Sequence, residues 1–192
     1  MADIAVGIDI GGTGMKGALV DVSTGEKLTD RFRVPTPEGA RPEDVASTLR
    51  ELVESIPGVR RRTPIGVAFP SVISNGVALT ASNIDAAWIG LNADELFTRT
   101  LDRKVRLVND ADAAGYAESR FGAARGVKGL VIMVTLGTGI GTALIYKGHL
   151  IPNSELGHLE LDGYPSYEKA ASNAAREREG LSMAEWAVRL QR

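Results

Sequence analysis

The sequence has no cysteine, two histidines, few aromatic residues (5%) and no excess charge of either sign, the net being −2 over 192 residues. Without cysteine there is no disulfide framework and no thiolate metal site. His149 and His158 are too few for a convincing zinc centre, so no zinc is expected. The near-neutral balance gives no global pull on nucleic acid, and any polyanion has to be held by a local patch. No apolar run reaches the ~20 residues of a membrane helix. Met1-Ala2-Asp3-Ile4 has no basic segment ahead of a strand-like run, so no secretory signal is expected either. What is present, 44% hydrophobic and 24% charged residues, is the composition of a folded α/β protein expected in the cytoplasm.

Periodicity and turn residues order the chain. Ile4–Ile10 and Met15–Val20 read as a hairpin around Gly11-Gly12-Thr13-Gly14, with a third strand near Lys27–Val34. Glu43–Val53 has helical spacing, and Pro64–Phe69 and Gly76–Thr80 read as strands. Asn92 is placed to cap a helix running to about Leu101. Val105–Val108 is a buried strand followed directly by an alanine-rich helix, Ala111–Phe121. Leu130–Thr135 and Ile140–Tyr146 form a second glycine-hinged pair. Beyond it the chain reads as helical over Tyr167–Arg178 and Ser182–Arg192, the latter opened by the capping box Ser182-Met183-Ala184-Glu185. The expected organisation is two lobes, 1–108 and 109–192.

Four constellations carry chemistry. In Asp9-Ile10-Gly11-Gly12-Thr13, with Lys16 following, glycines let backbone amides approach an anion while Asp9 can hold Mg²⁺ through water. The same glycines also suit a tight hairpin with Asp9 merely at a strand end. Gly137-Thr138-Gly139-Ile140-Gly141-Thr142 precedes a strand, so it fails the dinucleotide fingerprint in spacing and context. Two such hairpins bearing threonine hydroxyls suggest a phosphate chain clamped between lobes. Asn109-Asp110-Ala111-Asp112 sits at a strand C-terminus, where ligands bind in α/β sheets. A carboxylate there can take a proton from an attacking hydroxyl, or can cap the helix, and the expectation is that Asp112 caps and Asp110 works. Glu155-Leu156-Gly157-His158, with Glu160 and Glu168, supplies acceptors and donors for a polyhydroxylated ligand, although His158 alone equally suits a structural role.

In this order the motifs Asp9–Thr13, Asn109-Asp110-Ala111, Gly137–Gly141 and Glu155-x-Gly157-His158 resemble the repressor/ORF/kinase (ROK) family of sugar kinases. The resemblance covers essentially the whole chain. It implies the actin/hexokinase-like (ribonuclease H-like) two-lobed ATPase fold of the α/β class. It also implies Asp110 as catalytic base on the sugar 6-hydroxyl, with Asn83, Asn109, Asp110, Glu155, His158 and Glu168 binding the sugar. Asp9, Gly11, Gly12, Thr13, Lys16, Thr135, Gly137, Thr138 and Gly139 would hold the phosphoryl donor, with Mg²⁺ at Asp9.

Family members commonly carry a cysteine-rich zinc loop, and here only Tyr167-Glu168-Lys169-Ala170-Ala171-Ser172 remains of that region. The zinc-free loop, Thr80–Asp85, Arg120-Phe121-Gly122-Ala123 and Glu177–Ser182 with Trp186 resemble a subgroup, the polyphosphate glucokinases of actinobacterial type. That resemblance implies transfer to glucose from inorganic polyphosphate, with ATP as an alternative donor, by a homodimer. Cations for the extended anion are sought among Lys16, Arg120, Arg125, Lys128 and Arg60-Arg61-Arg62, the last also suiting a solvated loop. The family continues with a further strand, a Gly-Gly-Gly turn and closing helices that do not follow here. The second lobe is therefore expected to be incomplete and the chain a fragment of a kinase. An ATP-dependent kinase for another hexose and a non-catalytic sugar-binding fragment are the alternatives. A DNA-binding regulator fits poorly, for the sequence offers no basic recognition helix.

Overall fold

In the computed structural model, which describes residues 3–82 and 84–192, the opening apolar run forms the expected hairpin. Strands β1 (Ile4–Ile10) and β2 (Met15–Asp21) pair antiparallel across the first glycine turn, with Asp9 opposite Lys16. Strand β3 (Phe32–Val34) adds to β2 and is much shorter than the sequence suggests. The Leu19 N–H bonds the Thr29 hydroxyl (3.1 Å), so a side chain replaces the ladder partner that would extend the strand. Helix α1 (Pro42–Ser55) has proline in its first turn beside Glu43 and Asp44, and buries Val45, Ala46, Leu49, Leu52 and Val53.

Strand β4 (Ile65–Phe69) joins β1 in parallel; β5 (Ile73–Ser74) and β6 (Val77–Ala78) make a small hairpin where a single strand was expected. Helix α2 (Ala93–Leu101) begins where Asn92 Oδ1 accepts from the Glu95 N–H at 3.1 Å, as expected. Strand β7 (Val105–Asn109) then pairs in parallel with β4, giving a five-stranded mixed sheet of order β3-β2-β1-β4-β7. Its core centres on Phe69, Trp88 and Phe97, fully buried with ring centroids 4.7–6.3 Å apart, and the Trp88 indole N–H is satisfied by the Ala40 carbonyl (2.8 Å).

The chain divides into two compact units, Met1–Ala113 and Ala114–Arg192, within helix α3 (Asp110–Phe121). In the second unit β8 (Leu130–Leu136), β9 (Ile140–Tyr146) and β10 (His149–Ile151) form an antiparallel sheet of order β10-β9-β8, in which β10 was not foreseen. Gly115 lets α3 lie directly on β9, for a Cβ there would run into the Ala143 side chain. The expected helix over Tyr167–Arg178 is two helices, α4 (Glu168–Ala171) and α5 (Asn173–Glu179). Ser172 separates them because it takes extended backbone and its Oγ caps α5 at the Ala175 N–H (3.2 Å). Helix α6 (Met183–Leu190) carries the expected capping box, and Trp186 Nε1–H donates to the Ala171 carbonyl (2.8 Å). Among the described residues no helix is long and apolar enough to cross a membrane.

Candidate active site

In the first unit the turn between β1 and β2 is closed by the Gly11 N–H on the Gly14 carbonyl (3.1 Å), with Gly12 and Thr13 exposed at its tip. Asp9, at the end of β1, is ion-paired with Lys16 Nζ at 3.1 Å, and both side chains stay partly open to solvent. Two further residues shape this turn and were not foreseen. The Thr36 hydroxyl donates to the Gly11 carbonyl (2.5 Å), and the Arg33 guanidinium lies so close to Gly14 that a Cβ there would be 2.9 Å from its Nε. Arg33 is the strand partner of Lys16. Like charges directly opposite on a ladder repel, so this pair makes the turn attractive to an anion. The signal was available: once β3 pairs with β2, Arg33 falls opposite Lys16.

Asn109 and Asp110 lie at the carboxyl end of β7, beside β4 in the same parallel pair of strands. The expectation that Asp112 caps α3 is corrected here. Asn109 Oδ1 accepts from the Asp112 N–H (3.1 Å), and Asn109 Nδ2 donates to the Ser71 carbonyl (3.2 Å). Asp112 sits inside the first turn, 1% exposed. Asn109 is chemically as good a cap as aspartate and stands one turn earlier, where the accepting oxygen reaches the third N–H. Asp110 is thereby free of capping. The residue as a whole stays open to solvent, yet partial desolvation by the surrounding protein pushes its carboxyl above the usual carboxylate range; the Ala111 N–H (2.8 Å) pulls the other way and the nearby Asp9 charge raises it further.

The second unit gathers most of the remaining predicted residues around the turn between β8 and β9. The Gly137 N–H closes on the Gly139 carbonyl (3.0 Å), and the Thr135 hydroxyl donates to the Gly141 carbonyl (3.3 Å). Thr135, Gly137 and Thr138 are exposed. Glu168, at the start of α4, reaches this turn: its Oε2 accepts from the Ile140 N–H at 3.0 Å, and its Oε1 lies 3.3 Å from His158 Nε2. Gly139 leaves the room for it, since a Cβ there would strike Glu168 Oε2. Leu156–His158 forms a single 3₁₀ turn seated on β9, the Leu156 N–H bonding the Thr142 hydroxyl (3.0 Å), and Gly157 packs against the Ile140 carbonyl too closely for any Cβ. Glu155 precedes this turn and is partly exposed. Glu168, His158 and the second glycine turn are therefore one bonded group. Asn83 lies outside the described residues.

A sheet of order β3-β2-β1-β4-β7 with an acid just past the end of β7, followed by a second α/β unit with its own glycine turn, is the arrangement of an actin/hexokinase-like α/β fold. The pattern of the ROK family matches residues 5–178, and the chain belongs to that family. It is 46% identical over 187 residues to a polyphosphate glucokinase of Mycobacterium tuberculosis (strain CDC 1551 / Oshkosh), covering 97% of this chain and 69% of that protein. Among solved structures it resembles the inorganic polyphosphate/ATP-glucomannokinase from Arthrobacter sp. strain KM, with TM-score 0.92 and 51% identity over 98% of this chain and 76% of that one. A ROK family glucokinase from Streptomyces griseus, in complex with glucose and AMPPNP, matches with TM-score 0.80 and 28% identity over 91% of this chain and 59% of that one.

Proposed function

We propose that the chain carries the transfer site of a glucokinase that moves a phosphoryl group from inorganic polyphosphate or ATP to the 6-hydroxyl of glucose, with Asp110 as general base. The observation that carries this reading is Asp110 itself: a solvent-accessible carboxylate at a strand end, relieved of helix capping by Asn109, and made more basic by partial desolvation beside Asp9. Such a group draws a proton from a hydroxyl more readily than an ordinary surface aspartate. The activity of the M. tuberculosis and Arthrobacter relatives supports the choice of donor and acceptor.

In this reading Asp110 accepts the proton of the 6-hydroxyl as that oxygen attacks the terminal phosphorus. Positioning and charge stabilisation carry most of the barrier reduction. Glu155, His158 and Glu168 supply the acceptors and donors for sugar hydroxyls. Asn109 shapes the sugar site by fixing the strand end, and Asn83 completes the sugar set. The amides of Gly11, Gly12 and Thr13, with Lys16 and the newly recognised Arg33, meet the donor phosphates; Thr135, Gly137, Thr138 and Gly139 make the second contact with the donor. No group of three or more metal-ligating side chains occurs among the described residues. Mg²⁺ fits this donor set nonetheless, because it is usually bound by one or two carboxylates plus substrate phosphates: Asp9 would hold it through water and the donor would supply the phosphate oxygens. Bound there, it would neutralise charge developing on the transferred group.

The test is glucose 6-phosphate formation by this chain with Mg²⁺, supplying long-chain polyphosphate and ATP separately, and mannose as a second acceptor because the Arthrobacter relative is a glucomannokinase. Product from polyphosphate supports the full reading. Product from ATP alone removes polyphosphate as donor, and the absence of product from either removes the activity from this chain.

A further inference from the structure

The first unit has a second concentration of charge at the opposite end of its sheet from Asp110. The loops that precede the parallel strands β4 and β7 lie side by side, since Ile65 pairs with Val105. Between them runs a groove of about 570 Å³ whose lining includes Arg61, Arg62, Arg103 and Lys104, with Asp102 as its single carboxylate. Both loops are fixed. The Thr63 N–H closes on the Arg60 carbonyl (2.9 Å), and the Arg60 N–H on the Thr63 hydroxyl (3.0 Å). Arg103 ties the loops together through the Arg60 carbonyl (3.2 Å) and the Leu101 carbonyl (3.4 Å).

These bonds separate two roles among the cations. Arg103 serves the C-terminus of α2 and holds the loops. Among the described residues Arg61 pairs with Asp102 alone (3.0 Å), and both side chains are 84% exposed, so the pair is weak. Arg62 and Lys104 form no ion pair among the described residues. A chain of net charge −2 thus concentrates self-repelling cations along one rigid groove. Solvated surface charge needs no groove, and complementing a helix end needs only Arg103. A linear anion with a charge at every repeat answers both features.

Resting on the reading that polyphosphate is the donor, we propose that this groove retains the distal part of the polyphosphate chain while its terminal phosphate is at the transfer site. Five residues of β7 separate the groove from Asp110, roughly 15 Å of extended strand. Tripolyphosphate and the triphosphate of ATP are too short to occupy both places; a long chain occupies both and gains from its own tethering. The groove therefore confers preference for long chains and leaves ATP use untouched.

The test is direct binding, so it does not depend on turnover. Wild-type chain and the triple variant Arg61→Gln, Arg62→Gln, Lys104→Gln are titrated into fluorescently end-labelled polyphosphate of about one hundred units and into labelled tripolyphosphate. Arg103 is kept so that the loops stay tied, and equal thermal midpoints check the fold. The proposal requires the variant to lose about tenfold in affinity for the long chain and nothing for tripolyphosphate, with the difference shrinking as salt rises. On the wild type, long polyphosphate should protect Lys104 from amine acetylation while tripolyphosphate should not. Unchanged long-chain binding, an equal loss on both ligands, or an unprotected Lys104 overturns it. Equal binding of a single-stranded oligothymidylate of the same charge would reduce the groove to a general polyanion surface. Should the chain make no glucose 6-phosphate from polyphosphate while these binding results hold, the donor reading fails and the groove stands as a polyphosphate-binding site.

Discussion

The two glycine turns are written in nearly the same residues and are wired to opposite charges. The turn between β1 and β2 faces cations: Lys16, bonded to Asp9, and Arg33 beside Gly14. The turn between β8 and β9 is braced by a carboxylate, with Glu168 on the Ile140 N–H and against His158. Glycine content therefore reports only that backbone is exposed for a close approach, and the neighbours decide what approaches. The first turn is built to draw an anion without further arrangement. The second couples its own geometry to a residue assigned to the sugar, so what binds Glu168 also acts on the Ile140 amide.

Among variants of the two turns, the largest expected effect is on the second. Gly157→Ala drives a Cβ into the Ile140 backbone carbonyl, which has no flexible end to move, so a loss of about 1–3 kcal/mol in the second unit is expected by denaturant unfolding. Glu168→Gln keeps the shape but weakens both the charge-assisted bond to the Ile140 N–H and the contact with His158. It should raise the glucose KM about tenfold, with the polyphosphate KM changed much less. Arg33→Gln should do the reverse, raising the donor KM about fivefold and sparing glucose, because this guanidinium lies along the first turn. If both variants moved the same KM, the distinction between the turns would collapse.

The smallest effect concerns stability. Partial desolvation raises the Asp110 carboxyl in the folded chain, so between the unfolded value and the raised folded value the native state holds more protons. The contribution of Asp110 to stability then falls as pH rises through that window and is level above it, against the opposite slopes from the lowered carboxyls of Asp21, Glu179 and Glu185, so it is read as the difference between wild type and variant. Asp110→Asn removes this slope, and thermal midpoints at a series of pH values between 3.5 and 7 would show its loss.

Much of this was legible in the sequence because local chemistry fixed it. The Asn92 cap, the Ser182–Glu185 box and the hairpin around Gly11 each follow from residue types whose preferred geometry leaves few alternatives. The errors arose where one side chain diverted the backbone: Thr29 delayed the start of β3, and Ser172 split a helix whose composition reads as continuous. Asn109 was read for its ligand chemistry and turns out to spend both ends of its amide on the scaffold. Thr36, Arg33 and the grouping of the already considered Arg61 and Arg62 with Arg103 and Lys104 were missed for another reason, as each depends on strand pairing that brings residues distant in sequence together.

The most direct test of the account is Asp110→Asn, measured for glucose binding by calorimetry and for glucose 6-phosphate formation in the same preparation. The account predicts glucose affinity within about threefold of the wild type and turnover lower by about 10²–10⁴-fold, as loss of a general base produces. Near-normal turnover in that variant would contradict it and remove Asp110 from the base role.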